Sequence, residues 1–299
     1  MHQACQFLFV CLSADVDPDA NIPRRGRTDA ISAHQGDTVC LDASRQGLDV
    51  LAGVLEELSL PCTLFWEART LQTLAAASPQ TIRRFLDNGL LEHGCHGLKH
   101  EDFAGKDSGL PINAEETARI LRQATDIVAA VTGARPAGFR APYCRLTPEL
   151  TAALSEAGYL YDSTLTRTPG QDWTMRPCPL DPGPTDKPVW ELAICRARDG
   201  RGKPITSYLW QMFEGRRPTE DYVSLVSSLR GPYQGGLFQL ALHPWHMVVD
   251  ETGKRIPRDT ERELRTVLTD ISRLDGVKFI TAGEYLRCFI SQQAGRALA

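Results

Sequence analysis

Short apolar runs alternate with longer amphipathic stretches along most of the chain. A run of roughly four to eight apolar residues bounded by turn residues indicates a buried strand, whereas apolar positions three or four apart indicate a helix. The pattern predicts strands at residues 7–12, 62–66, 90–91, 137–139, 159–165, 189–195, 236–242 and 278–281. It predicts helices at residues 44–58, 79–87, 113–131, 147–158, 219–229, 260–274 and 283–291.

Residues at helix ends support two of these boundaries. Asn113 has Glu116 three positions later, which is the capping-box spacing, and Gly133 follows the last apolar position. Pro148 and Gly158 flank the next helix in the favoured order of proline first and glycine last. With about seven β–α units in the chain, we expect an α/β fold with a parallel sheet, in a closed or nearly closed barrel.

We expect residues 1–299 to form a single domain, because the sequence shows neither an internal repeat nor a clear linker. Residues 167–188 hold many of the prolines and are expected to be irregular, and residues 196–203 are expected to form a charged loop. The loops at 19–40 and 167–188 are expected to shape a substrate pocket. The sequence leaves open whether the second of them is also a lid.

The composition is that of an ordinary globular protein, with 42% hydrophobic and 23% charged residues and a net charge of −4. It has no basic face or arm of the kind that binds nucleic acid. No apolar run approaches the roughly 18 residues that span a bilayer, and no basic segment precedes the run at 7–12. The nine cysteines lack paired spacing. We therefore expect free thiols in a cytoplasmic protein of undetermined oligomeric state, with neither nucleic acid nor a transmembrane segment involved.

Four polar clusters lie just beyond the carboxyl ends of predicted strands. Barrel enzymes build their active sites on that face, and scattered structural residues would have no reason to share it. The clusters are Ser13-Ala-Asp-Val-Asp17, His96-Gly-Leu-Lys-His100, Arg140-Ala-Pro-Tyr143 and His243-Pro-Trp-His246.

His96 and His100 are four positions apart, so on a helical turn their imidazoles would point the same way. Two imidazoles and one carboxylate form a usual catalytic zinc set that leaves a position open for water. Each histidine could instead be an ordinary surface or core residue. His93 or Cys95 could also be a ligand, and a cysteine would favour a closed structural zinc site.

Asp15 and Asp17 are two positions apart, so one could bind a metal while the other takes a proton from water. Taken alone, the pair would be interpreted as solvated aspartates in an acidic turn with Asp19. Arg140 could be a surface residue, but a buried arginine would need a carboxylate partner. His243 lies between an apolar strand and a proline, where a packed core histidine is the alternative.

In order and spacing, the four clusters resemble the motifs of the polysaccharide deacetylases with NodB homology, carbohydrate esterase family four. The resemblance extends over nearly the whole chain and implies a distorted (β/α)7 barrel. The motifs that carry it are Ser13-Ala-Asp-Val-Asp17, His96-Gly-Leu-Lys-His100 with its Glu92-x-Gly94 lead-in, Arg140–Tyr143, Gly158-Tyr-x-Tyr-Asp-Ser163, Leu240-Ala-Leu-His243 and Phe279-Ile-Thr-Ala-Gly-Glu-Tyr285.

The resemblance implies a role for each matching residue. Asp15 would be the general base, Arg140 would orient it, and His243 would be the general acid. One divalent ion, zinc by default and otherwise cobalt, manganese, nickel or iron, would be held by Asp17, His96 and His100. Tyr143, Trp173 and Trp245 would contact the substrate.

Three departures from the family pattern stand out. Val16 separates the two aspartates, as in the branch of the family that includes cytoplasmic and non-polysaccharide amidohydrolases. Gly97 replaces the usual hydroxyl residue of the second motif, which puts the geometry of the metal loop in question. The fourth motif has only a loose candidate, Asp172-Trp173.

The sequence therefore predicts a metal-dependent hydrolase of a carbon–nitrogen bond other than a peptide bond, which removes an acyl group, N-acetyl by default, from an amino sugar or related amide. A non-sugar linear or cyclic amide or imide is the alternative substrate. A mononuclear iron oxygenase would use the same ligands but would leave Asp15, Arg140 and His243 unexplained. A non-catalytic barrel that binds a sugar through a relic site is the third possibility.

Overall fold

The computed structural model describes residues 6–180 and 188–297. Its strands are β1 (Leu8–Val16), β2 (Asn21–Arg24), β3 (Arg27–Ser32), β4 (Cys62–Trp66), β5 (Leu91–Cys95), β6 (Gly138–Phe139), β7 (Tyr161–Asp162), β8 (Thr166–Arg167), β9 (Cys178–Pro179), β10 (Trp190–Glu191), β11 (Ile194–Arg198), β12 (Pro204–Thr206), β13 (Leu237–Leu242) and β14 (Val277–Phe279). Its helices are α1 (Asp42–Leu58), α2 (Ala68–Ala77), α3 (Pro79–Leu86), α4 (Ala114–Thr132), α5 (Pro148–Ala157), α6 (Trp210–Phe213), α7 (Thr219–Leu229), α8 (Thr260–Ser272) and α9 (Ala282–Ala297). Two 3₁₀ turns cover Pro142–Cys144 and Pro244–Met247.

A parallel sheet organises the fold, with neighbouring strands in the order β13–β1–β4–β5–β6–β7–β10. Strand β14 also pairs with β1, and β9 pairs antiparallel with β10 at the far edge. Strand β1 is buried along almost its whole length, as expected for a central parallel strand covered on both faces. The carboxyl ends of these strands consequently face one side of the molecule.

The two ends of this curled sheet are joined by a side chain rather than by a backbone ladder. Gln239 in β13 donates a hydrogen bond to Ser163 Oγ at 2.6 Å and another to the backbone carbonyl of Leu192, just beyond β10. Seven parallel strands follow one another from β13 to β10 in this curled sheet, and the predicted α/β fold, a distorted (β/α)7 barrel, is confirmed.

Helix ends follow the local chemistry that the sequence predicted. The Asn113 side chain accepts a hydrogen bond from the backbone N–H of Glu116 at 2.9 Å and caps α4. Gly133 ends that helix with φ +76, in the left-handed region that favours glycine. Thr147 caps α5, which begins at Pro148.

The stretch at 189–195 was expected to be one strand and is two. Strand β10 belongs to the main sheet, whereas β11 pairs with β8 and β12 in a separate three-stranded sheet. The prediction of a loop at 196–203 is correspondingly wrong at its start, because β11 continues to Arg198 and forms a hairpin with β12. Both apolar segments are buried, so their periodicity could not reveal which sheet each would join.

Other elements were absent from the predicted pattern. Strands β2 and β3 form a hairpin within the loop expected at 19–40, and α2 follows β4 directly. The stretch at 167–188, which was expected to be irregular, contains β9. Residues 181–187 lie outside the described residues, so whether this stretch forms a lid stays open.

Most buried apolar side chains of the described residues form one large cluster, whose members run in sequence from Leu8 in β1 to Ile271 in α8. Two smaller clusters lie beside it. None of the helices in residues 6–180 and 188–297 combines the length and the apolar character needed to cross a bilayer. The eight cysteines within the described ranges are unpaired, and Cys5 lies outside them. The single domain and the cytoplasmic location stay predictions.

Candidate metal centre and active site

The four predicted polar clusters meet at the carboxyl ends of the parallel strands. Asp15 lies near the end of β1 and Asp17 just beyond it, while His96, Arg140 and His243 directly follow β5, β6 and β13. Strands β13 and β1 are adjacent in the sheet, as are β5 and β6, and only β4 lies between the two pairs, so their carboxyl ends converge. The structure thus brings together all the side chains that the sequence marked as catalytic or metal-binding.

Asp17, His96 and His100 each offer one potential ligand atom, and these atoms all lie within 4.8 Å of one another. Asp17 Oδ2 is 3.1 Å from His100 Nε2 and 3.8 Å from His96 Nε2. Asp17 Oδ2 and His96 Nε2 are buried and have no hydrogen-bond partner. Buried polar atoms without partners are costly, so this arrangement fits a metal site.

Hydrogen bonds with neighbouring groups orient two of these ligands, each at the atom that does not face the cluster. His96 Nδ1 lies 2.7 Å from the backbone carbonyl of Arg140, which can only accept, so Nδ1 carries the proton and Nε2 is free to bind a metal. The Trp245 indole N–H donates to Asp17 Oδ1 at 2.7 Å, which leaves Oδ2 on the inner side. Such contacts are the usual means of orienting metal ligands.

The segment from His96 to His100 is a loop, so the prediction that both imidazoles lie on a helical turn is wrong. Gly97 and His100 both have positive φ, at +84 and +56. The carboxylate of Glu101 accepts hydrogen bonds from the backbone N–H groups of Leu98 at 3.0 Å and Lys99 at 2.9 Å, and the loop curls around it.

Gly97 is required by this loop. A Cβ there would lie 2.8 Å from Glu101 Oε2, in addition to straining a left-handed backbone. A hydroxyl residue at position 97 would have to displace the Glu101 carboxylate from this place. Glu101 was not among the predicted site residues, although it directly follows the second histidine of the motif in the sequence.

The other two residues considered as ligands are occupied elsewhere. His93 Nδ1 accepts a hydrogen bond from the Trp66 indole N–H at 3.0 Å. Cys95 is fully buried, and burial raises the pKa of its thiol to about 12. Neither belongs to the cluster of Asp17, His96 and His100.

Asp15 is fixed by a buried arginine. Arg140 is fully buried, and its Nη1 donates to Asp15 Oδ1 at 2.7 Å. Burial alone would raise the pKa of Asp15, but the charge of Arg140, followed by His96 and His243, outweighs it and lowers the pKa to about 2. Asp15 is therefore ionised at neutral pH. By contrast, burial raises the pKa of Asp17 to about 6.

His243 faces both aspartates. Its Nε2 is 3.6 Å from Asp17 Oδ2 and 3.8 Å from Asp15 Oδ2. Burial lowers the pKa of His243, whereas the charges of Asp17 and Asp15 act in the opposite direction. Its ring is stacked on the ring of Tyr208, with the centroids 5.5 Å apart and an angle of 12° between the planes. The ring of Trp245 is tilted against it by 39°, with the centroids 5.4 Å apart.

A cavity of about 370 Å³ opens over these groups. Tyr143 and Trp245, predicted to contact the substrate, both line it. Trp173 does not, because it packs in the apolar core and its indole N–H donates to the backbone carbonyl of Arg176 at 3.1 Å. Its neighbour Asp172 caps a local turn by accepting from Thr168 N–H. The structure therefore does not bring this loose fourth-motif candidate to the site.

Several residues of the cavity wall were not predicted as site residues, among them Tyr208, Trp210 and His246. The hydroxyl of Tyr208 donates to Asp15 Oδ2 at 2.7 Å across 193 positions of sequence. His246 lies in the fourth cluster and was quoted there without a role. The aromatic pair Tyr208 and Trp210 is visible in the sequence, but nothing local indicates that it lies at the site.

The model of the polysaccharide deacetylase family matches residues 41–161. Over 125 residues, the chain is 28% identical to a peptidoglycan deacetylase-like protein, FGM2, of Gibberella zeae. That match covers 41% of this chain and about a third of the relative, 34%. The resemblance to the family is confirmed, and the predicted class, a hydrolase of non-peptide carbon–nitrogen bonds, is that of the family.

Solved structures share the fold. A Mycobacterium smegmatis protein assigned to the polysaccharide deacetylases has a TM-score of 0.69 at 19% identity, covering 98% of this chain and 93% of its own. The Puue allantoinase has a TM-score of 0.65 at 17% identity, covering 96% and 91%. At these identities the likeness concerns the fold alone.

Proposed function

From its resemblance to the polysaccharide deacetylase family, we propose that this chain is a metal-dependent hydrolase that removes an acyl group, N-acetyl by default, from an amino sugar or a related amide. The observation that carries the proposal is the position of an ionised Asp15, held by buried Arg140, next to the unpartnered Asp17 Oδ2 and His96 Nε2.

Asp17, His96 and His100 would hold one divalent ion, zinc by default; cobalt, manganese, nickel and iron can use the same ligand types. The unpartnered ligand atoms and the hydrogen bonds behind them support this assignment. When bound, such an ion lowers the pKa of a coordinated water and polarises a carbonyl.

Asp15 would accept the proton of the attacking water. Its low pKa keeps it ionised and available across neutral pH, and Arg140 holds its other oxygen in place. The tetrahedral oxyanion needs a donor on the cavity wall. The backbone N–H of Tyr143, whose φ of +57 departs from the usual range, is our candidate.

His243 would donate a proton to the departing amine. Burial lowers the pKa of His243 overall, and the charges of Asp17 and Asp15 act against that shift, so the protonated form depends on these two carboxylates. The reaction would break the amide C–N bond, add the elements of water, and release a carboxylic acid and a free amine.

Two substrate classes remain in the proposal. The peptidoglycan deacetylase-like relative favours an N-acetyl amino sugar. A small non-sugar amide or cyclic imide is the second candidate, favoured by a fold that covers 91% of an allantoinase. A mononuclear iron oxygenase would not need the Arg140–Asp15 pair, and a relic sugar-binding site would not need a candidate for every catalytic role.

The test is hydrolysis by metal-reconstituted protein across N-acetyl amino sugars and small cyclic imides, under anaerobic conditions with zinc. We expect acid and amine to be released in equal amounts, with activity lost on chelation and restored by added metal. Turnover that appears only after oxygen is admitted would indicate the oxygenase. Absence of turnover with every metal and substrate would contradict the proposal. His96→Ala should lose metal, and undiminished metal at the site in that variant would refute the ligand assignment.

A further inference from the structure

Tyr208 contacts both residues to which we assign proton transfer. Its hydroxyl donates to Asp15 Oδ2 at 2.7 Å, on the carboxylate oxygen that Arg140 does not occupy. Its ring is stacked nearly parallel on the imidazole of His243, with an angle of 12° between the planes. A single side chain thus contacts both the proposed base and the proposed acid.

Hydrogen bonds anchor the backbone at Tyr208 to two elements. The Leu209 backbone N–H donates to the carbonyl of Ala241 in β13 at 2.8 Å, next to the strand end that carries His243. Tyr222 in α7 donates its hydroxyl to the Tyr208 backbone carbonyl at 3.2 Å. Because Tyr208 is anchored to β13 and α7, it can impose a position on the flexible torsions of its two neighbours.

We propose that Tyr208 is a positioning residue that sets the orientation of the Asp15 carboxylate through its hydroxyl and the plane of the His243 ring through its own ring. The inference rests on the proposed function, since it presumes that Asp15 and His243 transfer protons. Arg140 fixes Oδ1 and Tyr208 fixes Oδ2, so rotation of the carboxylate about χ2 would break one bond or the other. The carboxylate of Asp15 therefore keeps one orientation, in which Oδ2 can accept the proton of the attacking water.

The ring has a separate effect. With Trp245 on another side, the stack limits rotation of His243 about its own χ2. A proton donor must meet the leaving nitrogen at hydrogen-bond distance, so the constraint matters only when the amine needs that proton. The two contributions can therefore be separated by the choice of leaving group.

The experiment compares Tyr208→Phe, which keeps the ring and loses the hydroxyl, with Tyr208→Leu, which loses both. Tyr285→Phe is the matched control, because it removes a buried phenol hydroxyl that donates to the Gly235 backbone carbonyl at 3.0 Å, at the opposite end of β13 from His243. Each variant is assayed with two acetamides, one of an alkylamine and one of p-nitroaniline, whose amine departs without prior protonation. Metal content and Tm are measured for every variant.

We expect Tyr208→Phe to lose about ten- to a hundredfold in kcat on both acetamides, with KM and metal content close to wild type. Tyr208→Leu should lose about tenfold more on the alkylamide and little more on the anilide. Tyr285→Phe should keep its kcat on both. This pattern depends on the leaving group, which a general loss of stability would not reproduce.

Wild-type kcat in Tyr208→Phe would overturn the role of the hydroxyl, and equal losses by the Phe and Leu variants on both amides would overturn the role of the ring. A loss of metal from Tyr208→Phe would also overturn the inference, because the residue would then act through the ligands. If Tyr208→Leu does not fold, the Tyr208→Phe comparison with Tyr285→Phe still decides the first point. A wild-type protein that hydrolyses no amide would refute the proposed function and this inference together, whereas the outcomes above refute the inference alone.

Discussion

Arg140 Nη1 donates to Asp15 Oδ1 at 2.7 Å although the two residues lie 125 positions apart, and neither side chain is more than 1% exposed. An ion pair this deeply buried does not by itself indicate high stability, since desolvation offsets most of the attraction. Removing one partner is a different matter, because the other charge is then buried without compensation. The pair is better explained by the need for one carboxylate in one orientation.

Arg140→Lys should therefore lower both stability and activity. Lysine keeps the charge but cannot replace the donors to Asp15, Ser163 and Gln239 at once. We expect the free energy of unfolding to fall by about 2–4 kcal/mol and kcat by at least about a hundredfold. Arg217→Lys is the control: Arg217 is only 8% exposed on its side chain and pairs with Asp199 and Asp221 away from the cavity. Equal kcat losses in the two variants would contradict the orienting role.

The loop of the second motif predicts a specific effect of adding one methyl group. Gly97→Ala places a Cβ at 2.8 Å from Glu101 Oε2, where it disturbs the loop that presents His96 and His100. Gly109→Ala is matched to it, since Gly109 has a similar φ of +74 but no atom within 4 Å of the added Cβ. Both variants should lose about 1 kcal/mol of stability from backbone strain. Only Gly97→Ala should weaken metal binding, by about tenfold or more in Kd, as measured by competition with a chromophoric chelator.

His93 gives a pH-dependent prediction outside the metal centre. Burial lowers its pKa from 6.5 to about 4, and its Nδ1 accepts from Trp66. Between these pH values the unfolded chain binds more protons than the folded chain, so the stability contributed by neutral His93 is complete above pH 6.5 and is lost as pH falls towards 4. His93→Asn keeps an acceptor but does not titrate. The difference in free energy of unfolding between wild type and His93→Asn should change in favour of the variant from about pH 7 to about pH 4.5, and a difference independent of pH would refute the assignment.

The cavity predicts discrimination by substrate charge. Among its described lining residues there is no lysine or arginine, whereas Asp15 and Glu251 are acidic and four aromatic residues, Tyr143, Tyr208, Trp210 and Trp245, form much of the wall. An anionic group on the substrate would lack a partner there. We expect an N-acetyl amino sugar to have a kcat/KM at least about tenfold above that of its 6-phosphate, measured on the same preparation. A preference for the phosphorylated sugar would contradict this interpretation of the cavity.

The sequence was most informative where a feature is local or where topology forces convergence. The 62–66 strand and the 219–229 helix match β4 and α7 because their apolar periodicity and flanking residues are local properties. The meeting of Asp15, His96 and Arg140 could be expected because the carboxyl ends of adjacent parallel strands share one edge.

The remaining features depend on contacts that distant segments create. The division of 189–195 between two sheets is decided by β7 and β8, which lie more than twenty positions earlier. The hydrogen bond from Trp245 to Asp17 and that from Tyr208 to Asp15 cross most of the chain. No periodicity or spacing encodes such pairs. Trp173 was assigned to the substrate pocket from a loose motif match, and it packs in the apolar core instead.

The central claim is that two aspartates only two positions apart have different functions, and paired variants test it most directly. Metal content and kcat are measured together for Asp15→Asn and Asp17→Asn. Asp17→Asn should lose metal and activity together, because it removes a ligand. Asp15→Asn should keep most of its metal and a near-normal KM while losing about a hundredfold or more in kcat. A metal-free Asp15→Asn protein, or one with near wild-type turnover, would contradict the assignment of base and ligand.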